Sequence, residues 1–412
     1  DVSIVDKDGK PPPLNAMVTP IQMFPTTMFR DVRLYLGESQ VSNTEDGAYP
    51  LRAFIETMLN HSPAQLQTNL ERFGVQQDTR HVTYQLVDGK APQAINGLRS
   101  LFGMKLEKED EANPGKKKEV FTYYEASKRF FGKVFTSFST CRRPIVPGVS
   151  VRLEMDLNSP EFYMVDYSTE YDESKKYQLK IENATYVVPY RQMNQELYYK
   201  LGTSMTKNPA VYPLKRMQMK KFSLSKGQQN FTFNDVVQGA KKPDRLVLAF
   251  MPESWWEGDY RKFPLQSTSV FRDDDDEDQQ HVADTVCRMK AVRLTVNGAL
   301  TDPIESKTWD QLVMGGYHQL IKNLGLETVY DRAIAFNKEA FARRHFYLMF
   351  DITQPTKAHD SSVRYATKEG HLRLELDFSR VLPCTVNMFV MAEFNAAVEI
   401  TKNRLIRYHY VW

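Results

Sequence analysis

One strand pattern occurs twice in this chain, and it limits the folds that the chain can adopt. Residues 151–157 read VRLEMDL and residues 372–378 read LRLELDF, so apolar residues alternate with Arg, Glu and Asp in the same order. Alternation with a period of two places the apolar side chains on one face of a β-strand and the charged ones on the other. Each segment therefore predicts a strand that covers a core and presents a charged ladder on its outer face.

Further paired segments surround these ladders in the same order. A strand ending in a glycine turn is predicted first in each copy, then an amphipathic helix, a second strand, the ladder, and an extended segment with an Asn-Ala pair. The pairs are 31–38 and 291–298, 49–60 and 308–325, 135–140 and 346–353, 151–157 and 372–378, 177–190 and 386–400. Five elements in one order, twice, predict an internal duplication.

The two copies differ mainly in one interval. The interval from Val32 to Val151 is 39 residues longer than that from Val292 to Leu372. The excess falls on EKEDEANPGKKKE, within a long loop predicted around 103–120, because this stretch has almost no apolar residue to bury. A Pro-containing polar passage at 202–213 predicts the boundary between two units. The first unit is residues 1–205 and the second unit is residues 206–412.

The texture of each unit predicts its fold class. Short alternating strands recur between Pro, Gly, Asn and Asp clusters, Phe and Tyr number 24 and 21, and no regular strand–helix alternation of a parallel sheet appears. Strands fixed in two packed sheets tolerate loops of very unequal length. We therefore predict an all-β protein with short helices, built as two tandem jelly-roll (Greek-key β-sandwich) domains, a double jelly roll.

Several function classes are excluded. The chain has no nucleophile elbow and no glycine-rich phosphate loop, its eight histidines are scattered, and its three cysteines have no zinc-ligand spacing. A net charge of +3 on 412 residues predicts no specific nucleic-acid binding. No apolar run approaches the roughly 18 residues that a membrane span needs. We predict no catalytic, cofactor-binding or metal-binding residues.

Three charged or aromatic features remain. The acidic run Asp273 to Asp278 predicts a solvated loop, with calcium binding at a subunit contact as the alternative. The basic tracts Lys116 to Lys118 and Lys241-Lys242 lack interleaved aromatic residues and are interpreted as solvated loop faces. Adjacent Trp255 and Trp256 predict edge packing or a subunit contact, with an exposed carbohydrate or partner site as the alternative.

Two passages resemble a known protein family. Residues 31–79, with Tyr-Pro and LRAFIETML after a strand, and residues 370–412, with LRLEL, LP, TVN, AEF, VEI and NR in order, are similar to capsid-like proteins of Polinton/Maverick elements and adintovirus-like viruses, including genome-resident copies in animals. The resemblance implies a double jelly-roll major capsid (hexon-like) protein. It implies homotrimeric, pseudo-hexameric capsomers in the icosahedral shell of a virion, and a minor vertex capsid protein as a second partner.

The resemblance leaves other readings open. A minor or penton capsid protein with pentameric symmetry is one alternative, and a lectin-like ligand-binding protein of tandem β-sandwiches is another. We expect synthesis in the host cytoplasm or nucleus without secretion, and the sequence does not indicate whether a membrane lies beneath the shell. By analogy between the repeats, we also expect roughly 50 residues before Asp1 in the natural protein, because the second unit has three predicted strands there.

Overall fold

A computed structural model gives the fold of this chain. The residues that it describes are 1–12, 18–42, 47–70, 73–74, 103–109, 117–123, 127, 129–138, 141, 143–166, 176–237, 239, 241–260, 263–271, 286–327, 333–353 and 369–410.

The first unit contains short strands and short helices. Its strands are β1 (Val2–Asp6), β2 (Val18–Pro20), β3 (Phe29–Leu36), β4 (Ser39–Ser42), β5 (Gly103–Glu109), β6 (Lys117–Tyr123), β7 (Val151–Leu157), β8 (Met164–Asp166) and β9 (Tyr177–Ile181). Its helices are α1 (Phe24–Thr27), α2 (Tyr49–Asn60), α3 (Pro63–Gln67), α4 (Pro160–Tyr163) and α5 (Gln195–Lys207), the last of which runs across the predicted boundary.

The second unit contains longer strands. They are β10 (Ala210–Leu224), β11 (Asn230–Asn234), β12 (Arg245–Pro252), β13 (Val270–Phe271), β14 (Cys287–Val296), β15 (Ala299–Glu305), β16 (Leu348–Asp351), β17 (Leu372–Phe378), β18 (Val386–Ile400) and β19 (Ile406–Tyr410). Its helices are α6 (Glu253–Glu257), α7 (Trp309–Asn323) and α8 (Lys338–Arg343).

The strand order of the second unit is that of a jelly roll. One five-stranded sheet has the order β10-β18-β12-β16, with β19 also paired to β18, and the other has the order β11-β17-β14-β13, with β15 also paired to β14. Successive strands from β10 to β12 and from β15 to β18 therefore alternate between the two sheets, which is the connectivity of a jelly roll. The fold class predicted from the sequence is confirmed.

Apolar side chains between the two sheets form the core of the second unit. Phe222 on β10 lies 4.9 Å, centroid to centroid, from Phe233 on β11, so the rings join the two sheets. On β17 the residues alternate between buried and more exposed, with Leu374 only 1% exposed. The period of two that was visible in the sequence is thus the period of burial.

The first unit repeats this arrangement with fewer described strands. Strand β7 pairs with β3 as β17 pairs with β14: Glu154 lies opposite Arg33, and Glu375 lies opposite Arg293. The predicted equivalence of the two ladders is confirmed. Strand β2 pairs with β8, and β1 pairs with β9. Both pairs are antiparallel, like the pair of β12 and β18 in the second unit. No counterparts of β10 and β11 occur among the described residues of the first unit.

Three local predictions for the first unit were wrong. Residues 135–138 are not a strand, although Phe135 and Phe138 are buried, because they are held by bonds such as Phe135 N–H to the Tyr49 hydroxyl (3.1 Å). The predicted loop around 103–120 contains the antiparallel pair of β5 and β6, while its acidic tip lies outside the described residues. The strand predicted over 177–190 ends at Ile181, and residues 182–190 have no strand partner.

The two units share one continuous core. A single cluster of buried apolar residues runs from β1 to β18. Trp256 packs between the two units, 5.3 Å from Phe162 in the first and 4.5 Å from Phe389 in the second. Gly258 has a positive φ of 103°, and a Cβ there would stand 3.0 Å from the backbone of Glu161. The segments around Gly258 and Glu161 therefore approach so closely that only glycine fits at position 258.

Candidate functional site

Ion pairs between neighbouring strands form the charged ladder of the second unit. The Arg293 guanidinium on β14 bonds to Asp377 on β17 (2.6 Å) and to Glu305 on β15. Arg373 pairs with Glu375 along β17 at 2.6 Å. The hydrogen bonds to Glu305 and Asp377 raise the pKa of Arg293 above its usual value, so this charge is permanent. The arrangement explains why Arg, Glu and Asp recur at alternate positions.

The ladder of the first unit is built in the same way. Arg33 on β3 contacts Asp156 on β7, as Arg293 contacts Asp377, and Arg33 also lies 3.6 Å from Glu154 on β7. Arg152 lies over the ring of Tyr35, with its guanidinium carbon 4.4 Å from the centroid. Two outer sheet faces therefore carry equivalent rows of charge.

These ladders are suited to contacts between molecules. Arg33 and Glu154 keep 33% and 40% of their side-chain surface exposed. Solvent-exposed ion pairs contribute only about 0–1 kcal/mol to stability. Charge on a flat outer face instead sets the orientation and specificity of a partner surface.

A buried ionic cluster lies on the sheet of β10, β18 and β12. The Glu393 carboxylate accepts from Lys215 Nζ (3.0 Å) and Arg245 Nη2 (2.6 Å), and Lys215 also contacts Asp244 (3.2 Å). Burial alone would raise the pKa of Glu393, but Arg245 and Lys215 lower it to about 2. Burial raises the pKa of Asp244 despite Lys215. This cluster fixes the three strands to one another.

His345 lies where the two units meet. Its imidazole is 5.9 Å from the Phe54 ring of the first unit and 4.7 Å from the Phe336 ring, on which it stacks. Burial among these rings, with a smaller contribution from Arg344, lowers its pKa from 6.5 to about 3. The nearby Tyr347 hydroxyl, 3.5 Å from Nδ1, has a pKa raised by burial and stays neutral. His345 is therefore neutral in the folded protein near neutral pH.

We expect His345 to make the folded chain sensitive to mild acid. In the unfolded state the imidazole binds a proton below pH 6.5, whereas in the folded state it does so only near pH 3. The stability that is present above pH 6.5 is therefore lost as the pH falls from 6.5 towards 3. Because the residue is half-buried, the loss is about 1 kcal/mol per pH unit. The measurement is the free energy of unfolding in urea between pH 7 and 5. It should change less steeply with pH in His345→Phe and His345→Gln than in the wild type. Equal slopes in all three proteins would contradict the prediction.

The described residues enclose a cavity of about 330 Å³ in the first unit. Its walls are mainly apolar, and its titratable groups are His61 and Lys133, with no carboxylate or thiol among the described lining residues. His61 Nδ1 lies 3.0 Å from the Thr57 carbonyl oxygen and serves the end of α2. The cavity contains no arrangement of nucleophile, base and orienting group among these residues.

Most of the charged and aromatic features singled out in the sequence have structural roles where the structure describes them. Trp256 packs against Phe389 within the chain, in agreement with the packing alternative and not with an exposed site. Lys241 forms an isolated antiparallel β-bridge with Glu369. Asp273 to Asp278 lie outside the described residues. No group of three His, Cys, Asp or Glu side chains in the described ranges could hold a metal ion. Over those same ranges, no helix has the length and apolarity to cross a bilayer.

One exposed surface was missed by the sequence reading. The segment from residue 182 to helix α5 exposes aromatic and aliphatic side chains, with Tyr190 at 92%, Tyr199 at 65% and Leu197 at 55%. In α5 only Met205 is buried. A helix with apolar residues at helical spacing normally buries one face, whereas α5 leaves Leu197 and Tyr199 exposed. Exposed patches of this kind mark contact surfaces.

Comparison with known proteins finds similarity in structure and not in sequence. No family model matches the chain, and no curated protein matches it. A cryo-EM structure of the Sputnik virophage superposes with a TM-score of 0.50 at 10% identity, covering 99% of this chain and 80% of that one. The mavirus major capsid protein (TM-score 0.43, 10% identity, 96% and 80% covered) and the Faustovirus major capsid protein (0.43, 8%, 100% and 77%) are also similar. The first of these supports the fold described above and nothing further.

Proposed function

We propose that this chain is a structural, non-enzymatic major capsid protein. Three copies would form a capsomer in which six jelly rolls surround a threefold axis, giving a pseudo-hexagonal unit that tiles an icosahedral shell in the virion. The observation that carries the proposal is the duplication itself: two jelly rolls with equivalent charged ladders are fixed together in one chain. The family resemblance of residues 31–79 and 370–412 supports the same reading.

The surfaces of the chain support assembly better than catalysis. The two ladders are charged and part-exposed, and the segment around α5 exposes Tyr190 and Leu197. Complementary charges fix the register of subunit contacts, and aromatic residues are enriched in the interiors of such contacts. A minor vertex protein would be a second partner at the positions of fivefold symmetry.

We expect a homotrimer in solution. Light scattering of the purified chain should give the mass of three chains of 47.8 kDa, and negative-stain images should show a pseudo-hexagonal outline. A stable monomer at micromolar concentration in assembly buffer would count heavily against the proposal. A mass of five chains would favour a penton protein.

The lectin-like alternative is tested separately. A ligand-binding tandem sandwich should be retained on a sugar matrix and should not form larger closed particles. Retention of a monomer, with elution by free sugar, would replace the capsid proposal. Trp256 is a poor candidate for such a site, because it packs against Phe162 and Phe389.

A further inference from the structure

The cavity in the first unit has an apolar floor. Its most deeply buried described lining residues, each at most 7% exposed, are Met23, Thr26, Thr57, Leu70 and Phe135. The Thr57 hydroxyl already donates to the Ala53 carbonyl oxygen (2.8 Å). The Thr26 hydroxyl donates to the Lys133 carbonyl oxygen (3.1 Å). Because these hydroxyls are bonded within the protein, the floor offers a bound molecule mainly apolar contact.

The mouth of the cavity is polar and carries a positive charge. Gln65, Asn69 and Lys133 are exposed there. The Lys133 ammonium lies 4.9 Å from the centroid of the Phe135 ring, so the charge stands directly beside the apolar floor. No carboxylate is among the described lining residues. A cation at the edge of an apolar floor is complementary to an anionic group joined to an apolar body.

The second unit fills the corresponding place with one of its own side chains. Helix α2 and the segment that begins at Phe135 correspond in chain order to α7 and the segment that begins at Phe346. Phe341 is fully buried between the latter two, with its ring 5.4 Å from the Tyr317 ring on α7 and 5.2 Å from the Phe346 ring. In the first unit the cavity lies between Thr57 of α2 and Phe135. The cavity therefore takes the place of a buried phenyl ring.

We propose that this cavity binds a small amphiphilic carboxylate. Its apolar body would lie on the floor formed by Met23, Leu70 and Phe135, and its carboxylate would pair with the Lys133 ammonium. The cavity volume of about 330 Å³ lies in the range of small-molecule sites. Burial of the apolar body supplies most of the binding free energy, and the ion pair fixes the orientation. The inference does not depend on the proposed capsid function.

Calorimetric titration of the full chain with decanoate tests the charge at the mouth. Decanoate should bind at one site per chain, and Lys133→Gln should weaken its binding about fivefold. Lys307→Gln removes an exposed lysine of the second unit and should leave the affinity unchanged. Decanol has the same chain without the charge, so it should bind equally well to the wild type and to Lys133→Gln.

Photolabelling tests the location of the site. A decanoate with a diazirine on its chain should label the tryptic peptides 53–72 and 134–142, which contain Thr57, Leu70 and Phe135. An excess of plain decanoate should suppress this label. Leu70→Trp fills the floor and should lose both the label and the heat of binding. The label on the wild type decides the location even if this variant does not fold.

Three results would overturn the proposal. The first is no binding of decanoate to the wild type at millimolar concentration. The second is an equal affinity of the wild type and Lys133→Gln for decanoate. The third is a label that falls outside peptides 53–72 and 134–142, for instance on the exposed side chains around α5, which would mean that decanoate adheres to apolar surface elsewhere.

Discussion

Replacing Leu374 by Asp should abolish the soluble, folded protein. Leu374 is 1% exposed at the centre of β17, between β11 and β14, so the new carboxylate would have no partner and no water. An unpaired charge in such a position costs several kcal/mol, about 4 or more, against a typical total stability of roughly 5–15 kcal/mol. The measurements are the soluble fraction after expression and the free energy of unfolding in urea.

The first unit supplies a matched control for this substitution. Leu153 occupies the equivalent position on β7 but is only half-buried. Leu153→Asp should therefore destabilise the chain less, because the carboxylate can reach water. Normal folding of Leu374→Asp would show that the faces of β17 have been assigned in reverse.

Replacing Glu393 by Gln should destabilise the protein strongly although it keeps the size of the side chain. Glu393 neutralises Lys215 and Arg245 in a cluster where its own side chain is 6% exposed. Removing one member of a buried ion pair leaves an uncompensated charge, and the expected loss is about 3 kcal/mol. Urea unfolding at pH 7 measures it.

The control for Glu393 is an exposed pair of the same chemistry. Glu375 pairs with Arg373 at 2.6 Å and is 29% exposed, so Glu375→Gln should cost less than about 1 kcal/mol. The pH dependence gives a second check. The folded pKa of Glu393 is lowered from 4.5 to about 2, so its contribution is present above pH 4.5 and is lost as the pH falls towards 2. A Glu393→Gln protein as stable as the wild type at pH 7 would contradict the prediction.

The sequence predicted the second unit better than the first. In β17 the alternation of residue types matches the alternation of burial, because β17 has a strand on each side and a sheet above it. The same pattern in β7 correctly predicted the strand and its equivalence to β17, but not its exposure. Local pattern fixes which side chains share a face, whereas burial depends on what lies opposite that face.

Two features of the candidate site could not have been predicted from the sequence. The ionic cluster joins Lys215, Arg245 and Glu393 from three strands that are far apart in sequence, and its members resemble ordinary surface residues in the sequence. His345 is one of eight scattered histidines, and only tertiary packing places it between Phe54 and Phe336. Neither feature has a local spacing that a sequence reading could detect.

The junction at Trp256 and Gly258 has a consequence for how the duplicated halves can evolve. Gene duplication usually frees one copy to change while the other keeps its role. Here the two copies share one buried cluster, so a loss of packing in either half lowers the stability of the whole chain. The halves can diverge at their loops and outer faces, but their interiors must change together.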